Sequence, residues 1–406
     1  MSATASTPSQ SHFSVVSAAP PDAILGLTEA FNADSNPQKM NLSVGVYKDA
    51  DGTTPILRCV KEAERRLVEA EVTKGYLPID GGGDYREHIA ELVFSGIDRD
   101  RLTIAHSPGG TGGLRNAAAF LANCLNGTRV WLPGPTWANH NAIFGAENLP
   151  IETYAYLGTD KRSFVFEDMI NDLKTKTNVG DTVVLHACCH NPTGVDPTPE
   201  QWALIAETVA LKGLLPLIDF AYQGFGDGIE EDAVGLRAVL AACDEAIVCN
   251  SFSKNFGLYS ERVGGVSIMS AGSATRDVVQ SQLKRLVRSN YSNPPRHGGA
   301  VVATILDDSD LRSQWMSELT EMRDRIKSLR RQFVDTMKDA GSGHDFEFLL
   351  DQKGMFSFSG LTPMQVDELR TKYSIYIVGS GRINVAGMTE NKMDYLCDCI
   401  AKVMEA

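Results

Sequence analysis

Between about Thr54 and Arg288 short apolar runs alternate with longer stretches of helical period. Residues 129–132, 182–186, 214–218, 246–249 and 263–268 read as buried strands. Each is apolar on both faces, which belongs to a largely parallel sheet covered by helices. In such sheets ligands sit beyond the C-terminal strand ends. A long helix follows, with Leu311, Trp315, Leu319, Met322, Ile326, Leu329, Phe333 and Met337 recurring at steps of three and four. That stripe is core packing, and Ala340-Gly341-Ser342-Gly343 ends the helix. A smaller α/β unit then runs through 346–350, 355–359, a helix from Thr362, 375–378, 382–385 and a last helix.

Composition narrows the functional classes. The 406 residues carry 38 Lys+Arg against 51 Asp+Glu, a net charge of −13. So acidic a chain does not attract phosphate backbones, which disfavours a nucleic-acid partner. The length suits two or three domains at roughly 100–200 residues each. No window approaches the ~18 apolar residues of a membrane span. The eight cysteines form no CxxC pair, which reads as reduced thiols in a cytoplasmic protein and implies no metal site. Residues 1–20 are rich in Ser, Thr and Ala without Lys or Arg, so they match neither a secretory nor a mitochondrial presequence and read as a flexible leader.

Four stretches could carry chemistry. Gly109-Gly110-Thr111-Gly112-Gly113 opens a helical run, where free N–H groups and the helix dipole favour an anion. Arg115 stands where a dinucleotide fingerprint needs its last glycine. Asp219 ends an apolar strand, a costly place for a carboxylate unless it is paired, and Tyr222 follows. Lys254 comes just after another strand, in Asn250-Ser251-Phe-Ser253-Lys254, with Arg262 beyond. Desolvation there lowers an ammonium pKa and suits a Schiff base with an aldehyde. Taken alone, each stretch also has an ordinary structural reading: a tight turn, a capping acid, a snorkelling lysine. His186-Ala-Cys188-Cys189-His190-Asn191-Pro192-Thr-Gly194 tempts a metal reading, but adjacent strand residues point to opposite faces. Its Asn-Pro-Thr-Gly is a turn compatible with a cis Asn191–Pro192 bond. Arg288 and Arg382 are single arginines of the kind that fork onto carboxylates.

A lysine, an acid, an anion cradle and two arginines converge on pyridoxal-phosphate chemistry. From about Pro21 onward the chain resembles the fold-type I aspartate/aromatic aminotransferases. The matching segments include Asn41-Leu-Ser-Val-Gly45-Val-Tyr-Lys-Asp, Lys74-Gly-Tyr76-Leu-Pro-Ile, Pro135-Thr-Trp137-Ala-Asn-His140, Asp219-Phe-Ala-Tyr222-Gln-Gly-Phe225, Ser253-Lys254-Asn-Phe-Gly-Leu-Tyr, Asn290-Tyr-Ser-Asn-Pro-Pro295 and Gly381-Arg382-Ile-Asn-Val-Ala-Gly387. The resemblance implies an α/β, PLP-dependent transferase fold of type I. Its large domain, residues 55–320, would hold a mostly parallel seven-stranded sheet sandwiched by helices. Residues 21–54 and 321–406 would form a smaller α/β domain.

It also implies roles. Lys254 carries pyridoxal 5'-phosphate and moves the proton. Asp219 pairs with the pyridine nitrogen, supported by His140. Trp137 stacks on the ring, and Asn191 and Tyr222 bind its phenolic oxygen. Gly110, Thr111, Ser251, Ser253 and Arg262 hold the phosphate, with Tyr76 reaching over from the other subunit of a homodimer. Arg382 grips the substrate α-carboxylate near Gly45, and Arg288 crosses from the partner to the distal carboxylate. Ile24 and Leu25 resemble an apolar lid. Val46, Lys48, Thr54, Thr111 and Asn293 look like aspartate-type choices, whereas Gly75 and Gly134 depart from the usual pattern, Gly75 in a way that could widen specificity. The expected activity is aspartate aminotransfer to 2-oxoglutarate, with small dicarboxylic substrates. The alternative is a broad aromatic-amino-acid aminotransferase. A catalytically silent binding relative is the reading from another class, and the intact set of Lys254, Asp219, Tyr222 and Arg382 argues against it.

Overall fold

The structure is a computed structural model that describes residues 11–18, 25–340 and 344–405. The glycines at 341 and 343 expected to end the long helix, most of the expected leader and Ile24 lie outside the described residues, and of the expected lid only the backbone of Leu25 is described. After the helix Leu25–Ala33 come β1 (Met40–Asn41), β2 (Leu102–Pro108), β3 (Val130–Gly134) and β4 (Ile151–Ala155). Then follow β5 (Thr182–His186), β6 (Leu215–Phe220), β7 (Ala246–Ser251) and β8 (Val263–Met269). The chain closes with β9 (Phe356–Phe358), β10 (Ile375–Tyr376) and β11 (Arg382–Asn384).

Seven strands make one sheet in the order β2-β8-β7-β6-β5-β3-β4. Only β8 runs against its neighbours, β2 and β7, and the remaining pairs are parallel. The five runs expected from apolar pattern are β3, β5, β6, β7 and β8. Pattern alone missed β2 and β4. β2 buries Thr103, His106 and Ser107, so its interior reads as polar. β4 is an edge strand with Glu152 and Thr153 exposed, so it lacks a two-sided apolar run.

Two small ladders lie outside this sheet: β1 pairs β10 in parallel and β9 pairs β11 antiparallel. The long helix spans Ser309–Asp339, and the Asp308 carboxylate accepts from the backbone N–H groups of Asp310 and Leu311 at its start. All eight residues of the expected stripe are buried. Thr362 and Gln365 form a reciprocal cap at the start of Pro363–Tyr373, the helix expected from Thr362. Residues 347–351, expected within the α/β unit, form a short 3-10 helix.

The long helix braces the sheet's C-terminal edge. Trp315 stacks on Phe256 with centroids 4.4 Å apart, and its indole N–H donates to the Asn255 carbonyl at 2.7 Å. Glu318 accepts from the backbone N–H groups of Arg58 and Cys59, serving as the cap that Leu57 cannot supply to the helix Arg58–Ala70. No helix among the described residues is long and apolar enough to cross a membrane.

Candidate active site

The parallel strands β3, β5, β6 and β7 all end on one side of the sheet, and the chain just beyond them helps line a cleft. Gly45, Gly110, Thr111, Trp137, Asn191, Asp219, Tyr222, Ser251, Ser253, Lys254, Arg262 and Arg382 all face it. These residues come from distant parts of the sequence, and the sheet's topology brings them together.

One end of the cleft is built for an anion. The helix Gly109–Cys124 starts without a side-chain cap and without an acid in its first turn, so its N–H groups are free. Gly109 has φ +72, and a Cβ there would lie 2.4 Å from Arg262 Nη2. Only glycine therefore lets the guanidinium close over the helix end. Arg262 donates to the Ser253 hydroxyl at 3.4 Å and the Tyr259 carbonyl at 2.9 Å. The Ser251 hydroxyl donates to Ser253 Oγ at 3.1 Å. No carboxylate among the described residues pairs with Arg262.

The middle holds an acid and an amine. Asp219 is 9% exposed, and its Oδ2 lies 3.1 Å from His140 Nε2. Burial alone would raise its pKa. The His140 hydrogen bond, with the Lys254 charge nearby, outweighs that and holds the carboxyl below its ordinary value. A carboxylate only accepts, so His140 donates through Nε2 and its Nδ1 accepts from the Thr136 hydroxyl at 2.8 Å. The Thr136 oxygen then receives His186 Nε2–H at 3.1 Å. This chain fixes the imidazole behind Asp219 in one tautomer. Lys254 lies over the Tyr222 ring, with Nζ 4.7 Å from its centroid. Burial brings its ammonium down to about 8, although Asp219 pulls the other way. Burial pushes the Tyr222 hydroxyl well up. Asn191 donates to that hydroxyl at 3.4 Å, while its buried Oδ1 has no partner.

The far end holds a guanidinium with which no carboxylate among the described residues pairs. Arg382 is 6% exposed, donates to the Ser43 carbonyl and keeps a buried Nε without a partner. Its Cζ lies 4.3 Å from the centre of the Phe356 ring. Asn384 donates from Nδ2 to the carbonyls of Val44 and Val46 at 2.7 and 2.9 Å, stitching the Gly45 segment to β11. A Cβ on Gly45 would meet Phe356 Cζ at 2.6 Å, so this approach excludes any side chain.

Tyr76 is 93% exposed and Arg288 is exposed, donating to Ser292, and neither lines the cleft. His140 stands behind Asp219 and not in the cleft wall. Val46, Lys48, Thr54 and Asn293 do not line it, and Lys48 faces a separate cavity with Lys39 and Lys392. Leu114, Ala221, Tyr259 and Phe356 do line it and were not singled out from the sequence. Tyr259 carried a signal, lying five residues past Lys254 in a recognised segment; the apolar Phe356 carried none.

The cysteine pair differs from expectation. β5 ends at His186, and Cys189 has φ +51, so strand alternation does not apply. The two sulfurs and an Asp232 oxygen come within 4.8 Å of one another. Asp232 already accepts from the N–H groups of Gly224, Gly226 and Asp227, and burial pushes both thiols up. The Asn191–Pro192 bond is cis, as is Gly134–Pro135.

Comparison with known proteins places this geometry. The chain is 50% identical to an aspartate aminotransferase of Haemophilus influenzae over 97% of its length and all of the relative. An aspartate aminotransferase of Escherichia coli gives the same identity and the same coverage. Among solved structures, an aromatic-amino-acid aminotransferase of Burkholderia pseudomallei, covalently bound to pyridoxal phosphate, superposes with a TM-score of 0.94 at 46% identity, covering 97% of this chain and 100% of that one. The family model for aminotransferase class I and II matches residues 37–400, and the chain belongs to that family.

Proposed function

We propose that this protein is an aspartate aminotransferase that uses pyridoxal 5'-phosphate and moves the amino group of L-aspartate to 2-oxoglutarate. The observation that carries the reading is one cleft holding a desolvated amine, Lys254, between an anion cradle and an arginine, Arg382, that pairs with no carboxylate among the described residues. The residues fit the cofactor's chemistry. A phosphate matches the free helix end with Ser251, Ser253 and Arg262, and a protonated pyridine nitrogen matches Asp219. A phenolic oxygen matches two neighbouring donors, the Tyr222 hydroxyl and Asn191 Nδ2. When bound, pyridoxal phosphate supplies an aldehyde and an electron-withdrawing ring able to take up and return an amino group.

The chain's own residues do the rest. Arg382 orients the substrate by its α-carboxylate, through a planar fork that fixes direction as well as distance. Lys254, with its ammonium brought down to about 8, has a neutral fraction near neutral pH and takes and returns the proton at the substrate Cα. Asp219 remains ionised because His140 donates to it. Trp137 covers the cleft wall above His140, with the two rings edge to face at 5.3 Å.

Tyr76 and Arg288 stand away from their own cleft, which supports a homodimer in which each serves the partner's site. The two-domain division at residues 55–320, with 21–54 and 321–406 as the smaller unit, belongs to the same reading, as does a cytoplasmic location. Arg288 then pairs with the distal carboxylate. Arg288→Leu is expected to cut kcat/KM for aspartate by about 10²–10³-fold, the cost of leaving one charge of a buried pair unmatched, and to spare phenylalanine. Steady-state kinetics with both donors checks this, and equal losses for both would remove Arg288 from the site. A broad aromatic specificity is the second reading, supported by the similarity to the Burkholderia aromatic enzyme.

A further inference from the structure

Within the long helix Ser309–Asp339 two residues of the buried face are charged, Glu318, which caps the helix Arg58–Ala70, and Arg330. Arg330 falls one turn after Ile326 and one before Val334, and it is 3% exposed. No carboxylate among the described residues pairs with it. A buried charge without a counter-ion is expensive, so its hydrogen bonds must be specific. Nη2 donates to the Gly354 carbonyl at 2.8 Å, and Nη1 donates to the Ser357 hydroxyl. Burial brings the guanidinium down to about 10.

Both acceptors flank Phe356. Ser357 is fully buried on β9 and sits opposite Ile383 of β11, between the pairs Phe358–Arg382 and Phe356–Asn384. Gly354 has φ +75, and a Cβ there would come within 2.4 Å of Cys189 Cβ, so this turn is wedged against the loop that carries Asn191. The next residue to that turn, Lys353, donates its N–H to the Gly194 carbonyl at 2.7 Å. Phe356 in turn is the ring under the Arg382 guanidinium and against Gly45. At such contacts a few tenths of an ångström matter, because packed interiors resist small displacements.

We propose that Arg330 is a positioning residue for the α-carboxylate grip: its two-pronged hold on Gly354 and Ser357 sets the Phe356 ring on which Arg382 lies. Arg330 does not touch the cleft and acts only through Phe356. The inference rests on the aminotransferase reading given above. A planar fork is needed because two acceptors must be held at a fixed separation, and a lysine ammonium cannot hold them in the same plane.

The test compares Arg330→Met and Arg330→Lys with wild type as cofactor-loaded enzyme. Arg330→Met is expected to raise KM for both aspartate and 2-oxoglutarate at least tenfold. Its kcat is expected to stay within about threefold, and its affinity for pyridoxal phosphate to stay unchanged, because the phosphate cradle lies at the other end of the cleft. Arg330→Lys should recover less than half of the loss on a logarithmic scale. Ser357→Ala, which removes one acceptor and keeps the charge, should move KM in the same direction by less and serves if Arg330→Met does not fold. A lowered melting temperature with KM unmoved in the folded variants would overturn the proposal, since a merely structural arginine would do only that. Wild type is the control that separates the two claims. No turnover by wild type sinks the aminotransferase reading itself, whereas normal wild-type turnover with unmoved KM in the variants sinks Arg330 alone.

Discussion

Lys254→Ala is expected to lose amino transfer while keeping the cofactor site. Among the described residues that line the cleft Lys254 is the sole lysine, and no histidine lines it. The variant therefore has no amine to hold the aldehyde and no base at the substrate Cα. General acid–base catalysis alone is worth about 10²–10⁴-fold, and the lysine's second task adds to this, so the fall in kcat should exceed about 10⁴-fold. The anion cradle of Gly110, Thr111, Ser251, Ser253 and Arg262 and the Asp219–His140 pair are untouched, so pyridoxal phosphate should still bind, without the covalent link. Stability should not suffer. The Lys254 ammonium is held below its ordinary pKa chiefly by desolvation, so the fold carries a strained charge there and alanine removes it. Single-turnover assays, cofactor titration and a melting curve check these three statements. Turnover within tenfold of wild type would remove Lys254 from its role.

The apo-protein is expected to lose stability steeply below about pH 6.5. His106 and His190 are each 1% exposed, and burial brings them down to about 4 and about 3; His186, 5% exposed, is held well below its ordinary value by burial and by its histidine neighbours. A base whose folded pKa is depressed stays neutral in the fold while the unfolded chain binds a proton. Stability is then present above the unfolded pKa of about 6.5 and falls as pH drops toward the folded values. Each histidine contributes up to about 1.4 kcal/mol per pH unit in that window. Asp196 works the other way: burial raises it to about 6, so the fold binds its proton first and gains stability as pH falls through 6. These four groups together give a slope of about two protons, or roughly 3 kcal/mol per pH unit between pH 6 and 5, and Asp232, whose carboxyl is also raised by burial, reduces it. Urea midpoints between pH 8 and pH 5 measure it. Both ring nitrogens of His106 are buried without a partner, so His106→Leu should flatten the slope by about one proton. A flat midpoint from pH 8 to pH 5 would show that these rings do not stay neutral in the fold.

How much of this was legible depended on what kind of signal each residue left. Strands covered on both faces announced themselves, because residues 183–185 of β5, 215–218 of β6 and 246–249 of β7 form continuous apolar runs. β2 did not, because its polar side chains are buried, and the edge strand β4 did not, because water needs no pattern. The long helix read cleanly from its period, yet nothing in that period marked Arg330 as buried, since one arginine cannot declare that it is buried. In the site, Lys254, Asp219 and the glycine turn stood out because charge and chain reversal at strand ends need a reason. Phe356 and Leu114 left no such mark, as apolar residues are expected anywhere in a core. The relation of Cys188 to Cys189 was misread because the backbone turns at Cys189, which composition does not record.

The central claim is that this cleft moves an amino group from a dicarboxylic donor. The direct test mixes cofactor-loaded protein with excess L-aspartate, and separately with L-phenylalanine, and follows the loss of the cofactor's yellow colour together with release of the oxo acid. Rapid bleaching with aspartate, one oxaloacetate released per subunit, and slow or no bleaching with phenylalanine is the predicted result. Equal bleaching by both donors would contradict the dicarboxylate assignment, and no bleaching by either would contradict amino transfer altogether.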